Sequence, residues 1–232
     1  MPLHGPHQPA SSGKTRQVVI LLHGYGADGA DLIGLAPFLA KGLPDAAFHS
    51  PDAPLPCEMS PFGRQWFSLS DYDPDLLRRR PDTMQPAYSA MLAGARQAAP
   101  VLEGFVADLI ARHGLDGPGA VAFVGFSQGT MMSLHVALRL AEPVAGVVGF
   151  SGALLGVEAL AEEVRSRPPV LLVHGDADPV VPVQALEHTA TALRAAGLEV
   201  AEHTRPGLQH GIDEEGLRLA LAFLRRRFGL ED

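Results

Sequence analysis

Val121-Ala122-Phe123-Val124-Gly125-Phe126-Ser127-Gln128-Gly129-Thr130 is the stretch whose reading decides the fold. An unbroken apolar run ends in a glycine, an aromatic, a serine, a polar residue and a second glycine, and a helix-like segment opens at Met131-Met132. This is the pattern of a buried strand turning sharply into a helix. Small residues must flank the serine in G-x-S-x-G, because larger side chains at those places would collide with the strand and the helix. The hydroxyl of Ser127 is then presented at the carboxyl edge of a sheet, and Ser127 reads as a nucleophile. Five-residue matches also arise by chance, and a serine in such a place can simply cap a helix. The strand before it and the helix after it supply the context that gives the pattern its meaning.

Working outward, Val18-Val19-Ile20-Leu21-Leu22 is apolar without alternation, as expected of a strand covered on both faces of a parallel sheet. His23-Gly24-Tyr25-Gly26-Ala27-Asp28-Gly29 follows as a glycine-rich loop, and a helix is expected from Asp31 to Leu39. The loop lacks the lysine of a phosphate-binding loop and the spacing of a dinucleotide fingerprint. It suits a different task, aiming a backbone N–H at a developing oxyanion, and the Tyr25 amide is the candidate donor. The amide after the nucleophile, that of Gln128, is the candidate second donor.

Further strands are expected at Ala46–Ser50, Val144–Phe150 and Pro169–Val173, with a half-exposed edge strand at Glu199–Arg205. Helices are expected over Ala87–Ala111, with Pro100 starting a new helix or kinking this one, and over Met131–Leu140, Glu158–Arg167, Gln184–Ala196 and Asp213–Phe228. Between Pro54 and about Pro86 runs a proline-rich, loop-like stretch that carries the only tryptophan, Trp66. Trp66 either lines a substrate pocket or pins the loop to the core. Strand and helix in alternation predict an α/β fold, a mainly parallel central sheet with helices on both faces, whose active site lies at the carboxyl ends of the strands.

The chain of 232 residues suits one domain, 17–232, with 1–16 as a poorly ordered lead-in packed along an edge of it. A formal net charge of −8 argues against nucleic acid, and the Arg78–Arg80 and Arg225–Arg227 runs read as solvated faces. The lone Cys57 excludes an intrachain disulfide framework and fits a reducing compartment. No signal-peptide core and no transmembrane stretch is present, so a cytoplasmic location is expected.

A serine hydroxyl is a weak nucleophile near neutral pH, and it needs a base oriented by an acid. After the strand ending at Val173 come His174-Gly175-Asp176-Ala177-Asp178-Pro179. Asp178, held in a turn before proline, is favoured as the orienting acid over Asp176, which suits bonding to backbone N–H groups. His210, in the loop before the last helix, is the base candidate, ahead of His203 within the edge strand and His174 on a strand end. The histidines form no H-E-x-x-H pair or short ligand cluster, so no metal is expected. The chain order Ser, Asp, His is that of α/β-hydrolases.

Together the motifs Leu21-Leu22-His23-Gly24-Tyr25-Gly26, Pro51-Asp52-Ala53-Pro54, Trp66-Phe67, Gly125-Phe126-Ser127-Gln128-Gly129, His174 through Pro182, and His210 resemble the phospholipase/carboxylesterase family of α/β-hydrolases, which includes acyl-protein thioesterases. The resemblance implies an α/β-hydrolase fold and a Ser127–Asp178–His210 triad, with the oxyanion hole formed by the Tyr25 and Gln128 amides. It also decides between the two aspartates. The family often has leucine where this chain has Tyr25, which bears on the substrate mouth, where Tyr25 and Trp66 are candidate substrate contacts. No cap domain is visible between the sheet elements. The expected activity is that of a serine carboxylesterase acting without a cofactor on small or medium acyl esters. The alternatives are an acyl-protein thioesterase or lysophospholipase using the same triad, and a non-catalytic binding module, which would usually lack a triad member. The expected partner is a small-molecule ester, with no nucleic acid and no integral membrane association; a homodimer is allowed but not specified.

Overall fold

The computed structural model describes residues 2–69, 79, 80, 82 and 84–230. Its strands are β1 (His7–Gln8), β2 (Gln17–Leu22), β3 (Ala46–His49), β4 (Leu55–Pro56), β5 (Arg64–Gln65), β6 (Val121–Phe126), β7 (Gly146–Phe150), β8 (Val170–Gly175) and β9 (Val200–Arg205). Seven of them form one sheet in the order β1-β3-β2-β6-β7-β8-β9, while β4 and β5 make a separate hairpin. Every pairing within the large sheet is parallel except β1 with β3. Strand β6, which leads into Ser127, lies in the middle, and the order reverses around it, which opens a crevice at the carboxyl ends. This is the α/β-hydrolase fold, and among the described residues no cap domain intervenes.

The helices are α1 (Gly29–Leu32), α2 (Ala36–Leu39), α3 (Met84–His113), α4 (Gln128–Ala137), α5 (Leu160–Glu163), α6 (Gln184–Ala195) and α7 (Glu214–Arg227). The apolar strands feed two cores, because successive side chains of a strand point to opposite faces. Val18, Ile20, Leu22, Val121 and Phe123 join a core with α3, α4 and α6. Val19, Leu21, Ala122 and Val124 join the other, with α1, α2 and α7. Edge strand β9 is exposed over Ala201–Thr204.

Several expected elements take a different form. The lead-in is an ordered arm: β1 pairs His7 with His49, Ser50 N–H donates to Pro6 O (3.0 Å), and Leu3 is buried. The single helix expected over Asp31–Leu39 is broken by a 3₁₀ turn at Ile33–Leu35 ahead of Pro37. By contrast, α3 runs unbroken through Pro100. That ring faces solvent, while Leu92, Ala95, Ala98, Ala99, Leu102 and Phe105 are buried around it. Their burial outweighs the roughly 3 kcal/mol that an interior proline costs. The helix expected over Glu158–Arg167 shrinks to a 3₁₀ turn and the four residues of α5 before the chain extends at Val164. In the proline-rich stretch the β4–β5 hairpin stands where a loop was expected, and Pro86 lies inside α3. Residues 70–78, 81 and 83 of that stretch, Arg78 among them, lie outside the described residues.

Histidines tie the arm to the body. His7 stacks on His49 with ring centroids 5.5 Å apart, and His49 Nε2 lies 2.9 Å from His113 Nε2 at the end of α3. One of the two nitrogens donates and the other must be bare. Burial first, then the neighbouring His113, His7 and Arg112, lowers the pKa of His49 to about 4; burial and Arg139 do the same to His135. An unfolded chain takes up protons below about pH 6.5 that these two residues refuse in the native state. Stability is therefore present above that pH and is lost as the pH falls from about 6.5 toward 4. The slope is at most about 1.4 kcal/mol per pH unit for each histidine. Urea unfolding at pH 7.5, 6 and 5 should show a falling midpoint; a flat profile would count against both residues.

Candidate active site

The turn from β6 to α4 explains its own glycines. Ser127 has φ 53° and ψ −117°, a conformation that side chains rarely adopt. A Cβ on Gly125 would lie 2.5 Å from Gly129 O, and one on Gly129 would lie 1.8 Å from Leu22 O. The strained residue is held from both sides. Ser127 N–H donates to Phe150 O (2.8 Å), and Ser127 O accepts from Thr130 N–H and Met131 N–H. Thr130 Oγ1 sits 2.8 Å from Gly125 O and 2.9 Å from Phe150 O, bridging the ends of β6 and β7. Ser127 is only 8% exposed.

Asp178 lies in the turn after β8. Its Oδ1 accepts from Val180 N–H (2.8 Å) and Val181 N–H (2.9 Å), and its Oδ2 accepts from His210 Nδ1–H (2.7 Å). His174 Nε2–H donates to Val181 O (2.9 Å) and comes within 3.4 Å of Asp178 Oδ2. Burial pushes the Asp178 carboxyl up, but donors from His174, His210 and the Val180 amide outweigh it and hold the group well below the usual carboxylate range. Asp178 is thus a buried, ionised carboxylate facing one edge of the His210 ring.

The loop bearing His210 is drawn over this turn. Asp176 N–H donates to Arg205 O, Ala177 N–H to Leu208 O, and Gly207 N–H to Asp176 Oδ1 (2.7 Å). Gly175 lets the loop pass, since a Cβ there would lie 2.1 Å from Leu208 O. The structure therefore places Asp178 beside His210, and Asp176 is spent on backbone. The His210 ring packs on Phe126, the residue before Ser127, with centroids 4.8 Å apart. His203 is exposed on β9, and His174 is buried behind Asp178.

On the other side of Ser127 lies the glycine-rich loop. Ala27 N–H closes a turn onto Gly24 O (3.4 Å) with Tyr25 and Gly26 between, and Gly26 has φ 81°, the left-handed place of a type II turn. Gly26 N–H donates to Arg64 O and Arg64 N–H to Ala27 O (2.7 Å), so the β4–β5 hairpin is stitched to this loop. Arg64 is itself anchored through Nε and Nη2 to the Ala53 and Pro54 carbonyls. Tyr25 Oη donates to Glu58 Oε2 at 3.4 Å, at the foot of a hairpin tip where Met59 and Phe62 are 83% and 91% exposed. Gln128 opens α4, so its N–H has no helical carbonyl four residues back to bond.

Trp66 is buried at 1% exposure and donates its indole N–H to His23 O (3.1 Å). It also lines a cavity of about 440 Å³ between the hairpin and α3, walled by Leu55, Phe67, Ala98 and Val101; Ser127 is not among its walls. One detail of the site had no signal in the sequence: the Gln128 side chain, which accepts from Trp66 N–H and donates to Phe67 O, both at 2.8 Å.

The chain is similar to several known proteins. Acyl-protein thioesterase 1 of Gibberella zeae is 28% identical over 233 residues, covering 94% of this chain and 93% of that protein. Esterase YpfH of Escherichia coli is 28% identical over 223 residues, 96% of this chain and 86% of its own. The crystal structure of esterase PE8 matches with a TM-score of 0.87 at 43% identity, over 97% of this chain and 99% of that one. The family model for phospholipase/carboxylesterase matches residues 8–227. With that match running from β1 to the last turn of α7, the chain belongs to the phospholipase/carboxylesterase family, a family of carboxylic-ester hydrolases.

Proposed function

We propose that this protein is a serine carboxylesterase that hydrolyses small to medium acyl esters through an acyl-enzyme on Ser127. The observation that carries the reading is the 2.7 Å bond from His210 Nδ1–H to the buried Asp178 carboxylate. An ionised carboxylate only accepts, so the proton of neutral His210 sits on Nδ1 and Nε2 is left bare to take a proton. In this reading His210 Nε2 removes the Ser127 proton as Oγ attacks the ester carbonyl, and Asp178 stabilises the imidazolium that results. The Tyr25 and Gln128 amides receive the negative charge on the carbonyl oxygen. Collapse of the tetrahedral intermediate expels the alcohol, which takes its proton from His210. Water activated by the same histidine then releases the acid and returns Ser127.

A second reading, thioester hydrolysis on acylated proteins, is favoured by the likeness to the Gibberella zeae thioesterase and requires no change of triad. The exposed Met59 and Phe62 beside the Tyr25 loop offer apolar surface to a longer acyl chain. The lone cysteine supports a cytoplasmic setting.

A fluorophosphonate probe tests the nucleophile. It should label the native protein on Ser127 and leave Ser127→Ala unlabelled; labelling that survives the substitution would remove Ser127 from the role. Turnover of short p-nitrophenyl esters against acyl thioesters and lysolipids then separates the two readings.

A further inference from the structure

The two amides assigned to the oxyanion sit on separate elements, the loop after β2 and the first residue of α4. Between them runs a continuous chain of hydrogen bonds among groups the reaction itself does not use. It starts at the Gln128 side chain, which is fully buried and spends both its polar atoms on one neighbouring segment: Oε1 accepts from Trp66 N–H and Nε2 donates to Phe67 O, each at 2.8 Å. The Trp66 indole N–H then donates to His23 O at 3.1 Å. The fully buried His23 ring completes the path. Its Nε2 accepts from Ala53 N–H (3.0 Å), so its hydrogen sits on Nδ1 and is donated to Gly24 O (2.8 Å). Burial lowers the pKa of His23, which keeps that neutral tautomer in place.

The last bond is the informative one. Gly24 O and Tyr25 N–H belong to the same peptide unit, and a trans peptide directs its carbonyl and its N–H in opposite directions. Fixing the direction of the Gly24 carbonyl therefore fixes the direction of the Tyr25 N–H. At the other end, anchoring the Gln128 side chain to residues 66 and 67 fixes the first turn of α4, from which the Gln128 N–H projects. The two segments also pack on one another, since a Cβ on Gly129 would lie 2.8 Å from His23 O and one on Gly24 3.3 Å from Ser127 Cβ, but the hydrogen-bonded path between them runs through Trp66. Trp66 is the part they share.

We propose that the Gln128 side chain and the Trp66 indole are positioning residues, a brace that acts through His23 to hold the two oxyanion donors at a set separation. This rests on the assignment of the Tyr25 and Gln128 amides to the oxyanion hole. Oxyanion donors act by being preorganised, so a brace of this kind is felt when the tetrahedral species forms and not when the ester binds.

The test uses Gln128→Met, which keeps the side-chain length without its hydrogen bonds, and Trp66→Phe, which keeps an aromatic ring without the N–H. Each should lower kcat by about 10- to 100-fold on a p-nitrophenyl ester and leave KM within about twofold. Affinity for an aryl trifluoromethyl ketone, which adds to the nucleophilic serine as a charged hemiketal, should fall by the same factor as kcat/KM. The double variant should lose no more than the worse single variant, because both break one connected path. A rise in KM at unchanged kcat, an undiminished ketone affinity, or losses that multiply in the double variant would each overturn the brace. Should Gln128→Met fail to fold, the same split of kcat, KM and ketone affinity in Trp66→Phe decides alone. Wild-type protein that the fluorophosphonate does not label on Ser127 would instead overturn the triad, an outcome separate from failure of the brace.

Discussion

Replacing His210 with alanine is expected to lower kcat by roughly three orders of magnitude or more, with KM changed far less. The His210 ring is joined to a buried carboxylate through Nδ1, which leaves Nε2 as the group able to take the Ser127 proton. The other histidines near the strand ends are committed elsewhere: His174 donates to Val181 O, and both His23 nitrogens are used by backbone. Neither can substitute as base. The Tyr25 and Gln128 amides proposed for the oxyanion survive the substitution, so a residue of catalysis over water should persist. The imidazole lies in a loop and is 18% exposed on its side chain, so the fold should tolerate its loss. Steady-state kinetics on a p-nitrophenyl ester, with a thermal melt to show that the variant is folded, checks this; near-normal turnover would eliminate His210 as the base.

Asp178→Asn should cost about four orders of magnitude in kcat, for a reason visible in the direction of its hydrogen bonds. Oδ1 accepts from two backbone amides, Val180 N–H and Val181 N–H. An asparagine in this place must keep its carbonyl oxygen on those two donors, which puts its NH₂ where Oδ2 now faces His210 Nδ1. Donor would then meet donor. The imidazole escapes by moving its proton to Nε2, the nitrogen that has to be bare when Ser127 is deprotonated. The geometry survives and the chemistry fails, so Asp178→Asn should remain folded and bind ester while turning it over very slowly. Its rate should recover partly at alkaline pH, as hydroxide takes over removal of the Ser127 proton. A variant with near-normal kcat at pH 7 would show that the carboxylate does not set the tautomer.

Much of this site could be read from local sequence, because the constraints are local. The glycines at 125 and 129 answer clashes within a few residues of Ser127 and with the neighbouring strand, and the unbroken apolar runs of β2, β6 and β8 follow from burial on both faces. The turn that favours Asp178 is local too, its Oδ1 bonding the Val180 and Val181 amides, whereas His210 and Gly207, the partners that separate it from Asp176, come from a distant loop. What escaped the sequence depends on partners far away along the chain. The Gln128 side chain meets residues more than sixty positions distant, and an amide within the motif carries no mark of that use. Pro100 argues for a break when α3 is read alone; only the packing of the residues on either side of it against the sheet shows why the helix continues. The arm before β2 is polar and rich in proline, and the pairing of His7 and Gln8 with His49 and Phe48 is not written in its own pattern.

That arm has a practical consequence for handling the protein. β3 is buried along its whole length and would be the outermost strand on its side of the sheet without the arm. Its free backbone groups are occupied by the pairing of residues 7 and 8, continued by Ser50 N–H to Pro6 O and Asp52 N–H to His4 O. A trimmed chain that starts at residue 11 would keep Ser127, Asp178 and His210 and yet offer a bare, apolar edge to any other chain in solution. Protection against self-association thus resides in a segment that a domain boundary drawn at residue 17 would discard, and expression designs should leave it intact.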